Sequence, residues 1–182
     1  DTLRCDYGFA DPDDEVAPID ASTIAWTINS SAAAGTADTL TDTVYKADFV
    51  ICVVTADDGE PIPLNLSLDE KSSAATEIGN AHPTVSNAAL TPSSAAVGDT
   101  LSCTYDFEDF DTDTDASTIQ WTVEGNDAGT SSELSSGFTK GDAVSCSITA
   151  HDGDDEGNTI TSSELVIGNA VPEVTDVTIS SD

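Results

Sequence analysis

Leu101-Ser102-Cys103-Thr104-Tyr105-Asp106-Phe107, then Thr118-Ile119-Gln120-Trp121-Thr122-Val123, then Val144-Ser145-Cys146-Ser147-Ile148-Thr149-Ala150 decide the fold. In each stretch the apolar side chains fall on every second residue, the period of a strand that buries one face. A cysteine on the first such strand, a tryptophan on the next and a second cysteine on the third is the layout of a two-sheet sandwich pinned across its middle. The same three stretches occur earlier in the chain. They are Leu3-Arg4-Cys5-Asp6-Tyr7-Gly8-Phe9, Thr23-Ile24-Ala25-Trp26-Thr27-Ile28 and Val50-Ile51-Cys52-Val53-Val54-Thr55-Ala56.

Each copy closes with Ile-Gly-Asn-Ala (78–81 and 167–170) followed by a residue and proline, a brief and stiff linker. The duplication predicts an all-β chain of two tandem sandwiches, residues 1–80 and 81–170, with residues 171–182 left over. No amphipathic stretch of helical period is present, so helix content should be low. Cys5 with Cys52, and Cys103 with Cys146, sit on alternating apolar strands within their own repeats. They fit intradomain disulfides better than a metal site, which favours close Cys-x-x-Cys spacing. Closing a loop of about 45 residues, each bridge would add ~4 kcal/mol in the chain-entropy picture. The alternative is four buried thiols in a reducing compartment. Disulfides imply an oxidising, extracytoplasmic setting.

These residues resemble the immunoglobulin-like tandem repeats of large bacterial and archaeal surface proteins, a group that shades into polycystic-kidney-disease-like and cadherin-like modules. The resemblance spans essentially the whole chain and implies an extracellular or cell-surface location. It implies no activity, since this architecture serves many functions. Ala47-Asp48-Phe49-Val50-Ile51-Cys52 lacks the tyrosine two residues before the cysteine, so an antibody-type domain is not implied.

Charge narrows the partners. Arg4, Lys46, Lys71 and Lys140 stand against 35 acidic residues, a net charge of −31. Such a surface repels nucleic acid and anionic membranes and favours cations. No run of about eighteen apolar residues is present, so membrane insertion is not expected.

Residues 171–182 repeat the opening of the second domain. Val174, Val177 and Ile179, after Pro172, have the spacing of Val85, Ala88 and Leu90 after Pro83. The first repeat has no such strand ahead of Asp1-Thr2-Leu3. A sandwich without it presents an open edge, and the spare strand of one molecule would fill it in the next. The result is a head-to-tail homopolymer, a filament. Flanking repeats of a longer chain, from which this one is a segment, are the other reading. The outward positions Phe49, Ile51 and Val53 are apolar where the second repeat has Ala143, Ser145 and Ser147, so a neighbouring subunit or a loop of the same domain should cover them.

The acidic loops are the one constellation with site character. Asp109, Asp111, Asp113 and Asp115 should emerge at the same end as Asp152, Asp154 and Asp155, and Asp11, Asp13 and Asp14 at the same end as Asp57 and Asp58. Converging carboxylates would suit structural calcium. Solvated acidic loops are the plainer reading. The Asp-x-Asp-x-Asp run lacks the glycine and distal glutamate of an EF-hand. Asn29-Ser30-Ser31 and Asn65-Leu66-Ser67 are sequons that make Asn29 and Asn65 candidate glycan acceptors.

His82 and His151 have no Cys or His neighbour at metal spacing, no nucleophile elbow is present, and no carboxylate pair sits in an apolar setting. An enzyme is therefore not expected. The leading expectation is an extracellular structural repeat protein building a filament, stalk or surface layer. The alternative is a calcium-dependent adhesin or carbohydrate-binding segment.

Overall fold

A computed structural model describes residues 2–11, 19–35, 37–61 and 68–180. It divides into two units, residues 1–80 and 81–182. Among the described residues every regular element is a strand. The expected all-β chain of two sandwich domains, each crossed by its own disulfide, is what the structure has.

The second unit contains β6 (Thr84–Thr91), β7 (Leu101–Glu108), β8 (Thr118–Val123), β9 (Asn126–Gly129), β10 (Glu133–Leu134), β11 (Ala143–His151), β12 (Glu156–Thr161) and β13 (Leu165–Val166). They form a three-stranded sheet, β10-β7-β6, and a five-stranded sheet, β12-β11-β8-β9 with β13 also on β11, all antiparallel. The inward residues of β11, Val144, Cys146, Ile148 and Ala150, are completely buried, as period-two alternation requires. Trp121 lies opposite Cys146 on the neighbouring strand. Its indole N–H donates to the Ser131 carbonyl at 2.7 Å, so the largest core side chain buries its polar atom with a partner. The Cys103–Cys146 bridge joins the two sheets, with Cα atoms 6.2 Å apart.

The first unit contains β1 (Thr23–Ile28), β2 (Ser31–Ala33), β3 (Phe49–Thr55), β4 (Glu70–Ser72) and β5 (Thr76–Glu77). These make the matching five-stranded sheet, β2-β1-β3-β4 with β5 on β3. Trp26 again faces the second cysteine of its pair, Cys52, and donates to a loop carbonyl, that of Ala37. The Cys5–Cys52 bridge has its Cα atoms 6.1 Å apart. Gly35 is held here by the tryptophan. A Cβ on it would lie 2.8 Å from the Trp26 ring, and its φ is +134°, a region side chains rarely adopt.

The opposite sheet is where the units differ. Residues 3–9 were expected to form a half-buried strand with Leu3, Cys5, Tyr7 and Phe9 inward. They correspond to β7, but among the described residues their backbone pairs only through the Arg4–Thr39 bridge and the bonds Cys5 N–H to Asp38 C=O and Leu40 N–H to Leu3 C=O. These bonds correspond to the β7–β10 pairing of the second unit. On its other side β7 is paired with β6. The described residues of the first unit supply no counterpart to β6, so the segment lacks the ladder that makes β7 a regular strand.

Candidate functional site

The missing ladder leaves a groove. A cavity of about 340 Å³ in the first unit is lined by Cys5, Tyr7, Cys52, Val54, Ala56 and Lys71, among others. Its location follows from matching the two units. Cys5 and Tyr7 correspond to Cys103 and Tyr105. Val54 pairs with Lys71 as Ile148 pairs with Ile160. Ser73 Oγ accepts the Cys52 N–H as Ser162 Oγ accepts that of Cys146. The cavity therefore occupies the space that β6 fills in the second unit. Burial agrees: Ile148 and Ala150 are 0% exposed, whereas Val54 and Ala56 are only half-buried and Tyr7 is 41% exposed.

In the second unit this space is closed tightly. Val85 is 3% exposed and Pro83 fully buried. Asn158 accepts the Val85 N–H through Oδ1 at 2.8 Å and donates from Nδ2 to the Val85 carbonyl at 2.9 Å, so one side chain satisfies both backbone groups. Gly157 permits the approach, because a Cβ there would lie 1.8 Å from the Pro83 oxygen. In the first unit Asp69 stands in place of Asn158, Lys71 in place of Ile160 and Leu68 in place of Gly157. The Lys71 ammonium lies 3.2 Å from the Asp69 carboxylate, both side chains largely in solvent.

Residues 169–180 carry no strand, and residues 168–180 are all exposed. Val174 is 79%, Val177 81% and Ile179 98% exposed. β6 explains their uneven spacing. A bulge between Ser86 and Ala89 shifts its register, so the inward side chains after Val85 are Ala88 and Leu90. Asn87 sits in the bulge with φ +58°, a conformation Asn and Asp adopt more readily than other residues. Asp176 takes that position in the tail. The tail thus has the apolar spacing of a bulged β6 and a residue suited to its bulge.

Other expected sites resolve differently. Asp115 accepts the Tyr105 hydroxyl at 3.0 Å and the Ser117 amide at 2.8 Å, and the Ser117 hydroxyl accepts the His151 N–H. The first unit repeats every link: Tyr7 to Asp20, Ser22 N–H to Asp20, Asp57 N–H to Ser22. The recurring Asp-Ala-Ser thus ties three core strands at one end of each sandwich. Burial works to raise the Asp115 pKa, but the Ser117 and Tyr105 hydrogen bonds outweigh it and leave the carboxyl below its usual range. Burial, with the Asp115 bond, pushes Tyr105 up. Bonds from Ser22 lower Asp20, and its acceptance of the Tyr7 hydroxyl raises Tyr7.

Several of the loop carboxylates also accept backbone amides, although the second oxygen of Asp109 is buried without a hydrogen-bond partner. Asp109 accepts Asp113 N–H, Asp111 accepts Ala81 N–H, and buried Asp152 accepts the amides of Asp154 and Asp155. Asp57 and Asp58 accept Gly59 and Glu60 N–H. Among the described residues no three Asp, Glu, His or Cys side chains are gathered where one metal ion could bind. Asp13 and Asp14, companions of Asp11 in the first-repeat set, lie outside the described residues.

Asn29 is a turn residue with φ +51°. Its Nδ2 donates to Asp48 at 2.7 Å and its Oδ1 accepts the Phe49 N–H, which helps close the β1–β3 connection. Asn65 lies outside the described residues. Phe49 is 47% exposed, with Ile51 and Val53 half-buried on the same face. In the second unit Thr122 and Ser145 bond to each other on the corresponding face.

Sequence reasoning had singled out the strand pattern of residues 171–182 and the edge of the first repeat. It missed the Tyr–Asp–Ser link, although the near-identity of residues 20–28 and 115–123 marked it, and the roles of Asn158 and Gly157, which carry no signal without their neighbours. The two disulfides indicate an oxidising, non-cytoplasmic environment. Among the described residues no helix is long and apolar enough to cross a membrane. The chain matches no protein-family model and no curated protein.

Proposed function

We propose that this protein is an extracellular structural subunit that joins copies of itself head to tail, residues 171–180 of one copy entering the groove of the next copy's first unit as an added strand. The observation that carries this reading is the coincidence of the first unit's cavity with the place of β6. An exposed tail patterned as β6 supports it. The energetics favour docking. The tail holds no described contact that must be broken, and it would gain backbone hydrogen bonds along residues 3–9 with side-chain burial at alternate positions. Burying Val174 as Val85 is buried contributes about 1.5–3 kcal/mol. Because donor and acceptor are different surfaces, the contact does not close on itself and extends into a filament.

Lys71, one of four basic residues in the chain, lines the groove together with Asp6 and Asp69 and is paired with Asp69, so apolar burial and backbone pairing rather than charge carry the docking of a tail that bears Glu173 and Asp176. The test is sedimentation of the whole chain and of a chain ending at residue 170 over a range of concentrations. The whole chain should form concentration-dependent oligomers and the shortened one should remain monomeric. Equal assembly of both refutes strand donation. A whole chain that stays monomeric yet binds an added peptide of residues 169–180 overturns the copy-to-copy contact and assigns the groove to a flanking repeat.

A further inference from the structure

We infer that Asp176 makes the tail selective, admitting it to the first unit's groove and excluding it from any groove built like that of the second unit. This rests on the strand-donation reading above and concerns which acceptor that strand takes. In the second unit the bulge residue Asn87 donates from Nδ2 to the Asp106 carboxylate at 2.6 Å. Asp106 lies on β7 next to Tyr105. The corresponding position in the first unit, next to Tyr7, is Gly8. The tail has Asp176 where β6 has Asn87.

Both members of the pair are therefore changed together. A neutral amide faces a carboxylate within the second unit, and a carboxylate faces a glycine when the tail docks in the first. Crossing the partners sets Asp176 against Asp106, two like charges at hydrogen-bond distance with no shared donor. A repulsive element of this kind gives specificity that shape alone does not. It is needed here because the tail otherwise carries the apolar pattern of β6 and would compete with it for the second unit. Lys71 stands where the second unit has the apolar Ile160, two residues along the strand from the Asn158 counterpart. A docked tail would thus set Asp176 against Gly8 instead of a carboxylate, the other charges lining the groove being Asp6 and the Lys71–Asp69 pair.

Gly8 can be changed without disturbing the fold, since a Cβ on it meets nothing within 4 Å. The experiment measures self-association of the whole chain by sedimentation, for the wild type, Gly8→Asp, Asp176→Asn and the double variant, with the monomer melting of each as a control. Gly8→Asp should weaken association about tenfold or more, given a like-charge contact costing at least ~1.4 kcal/mol. Asp176→Asn alone should change it less than threefold, and the double variant should recover wild-type association by recreating the Asn87–Asp106 pair. If Gly8→Asp associates as well as the wild type, or if Asp176→Asn fails to rescue it, the selectivity inference is overturned while strand donation stands. If the wild type does not associate, or associates equally when cut after residue 170, strand donation itself fails and the inference with it.

Discussion

Val174→Ala tests strand donation at a single residue. In the isolated chain Val174 is 79% exposed, whereas Val85, whose place it would take, is 3% exposed. Truncation therefore removes almost nothing from the monomer and two carbons from the docked core. At about 0.8 kcal/mol per buried carbon the loss is ~1.6 kcal/mol, rising toward ~2.5 kcal/mol if the groove does not collapse around the shorter side chain. Association should weaken about 15- to 70-fold. Val171→Ala is the matched control. Val171 is 89% exposed and corresponds to exposed His82, so its loss should leave association within about twofold. Sedimentation equilibrium gives both constants, and thermal melting below the association threshold should be unchanged for both. Equal association of Val174→Ala and wild type would refute the docking register. A lowered monomer melting point for Val174→Ala would show instead that the side chain packs on its own chain.

Gly157→Ala should destabilise the second unit by about 1–3 kcal/mol, since its Cβ would meet the Pro83 oxygen at 1.8 Å; denaturant melts matching the wild type would contradict the packing of β12 on β6. The lowered Asp115 pKa gives a pH signature. Its stabilisation is complete above the unfolded carboxylate value near 4 and is lost as pH falls through the lower folded value. The stability difference between wild type and Asp115→Asn should therefore shrink below about pH 4, and a constant difference down to pH 2.5 would remove the Tyr105–Asp115–Ser117 link as its source. With Asp109 and Asp152 accepting amides of their own loops, calcium and magnesium at equal ionic strength should raise its melting point equally, by screening alone. A calcium-specific rise abolished by chelator would assign these loops a calcium site instead.

Several features were readable from residues alone because they depend on local spacing. Period-two alternation around Cys103, Trp121 and Cys146 and its copy around Cys5, Trp26 and Cys52 set the strand faces, the pairing of the cysteines and the number of domains. The match of residues 172–179 to 83–90 was likewise legible, since a strand's inward set is written in its own pattern. For the acidic loops the residues alone left two readings side by side, structural calcium and solvated carboxylates. A carboxylate directed at a metal and one capping a backbone amide three residues away have the same sequence, and only loop geometry separates them.

The linear chain thus determined two disulfide-pinned sandwiches and a tail patterned as a strand, because alternation and repetition are properties of neighbouring residues. Tertiary structure alone decided which side chains wall the open edge of the first unit, and that Asp106, the counterpart of Gly8, is bonded by Asn87 from the bulge of β6. A groove is the absence of a partner among residues far apart in sequence, and it becomes visible only once Cys5, Val54 and Lys71 are brought around the same space.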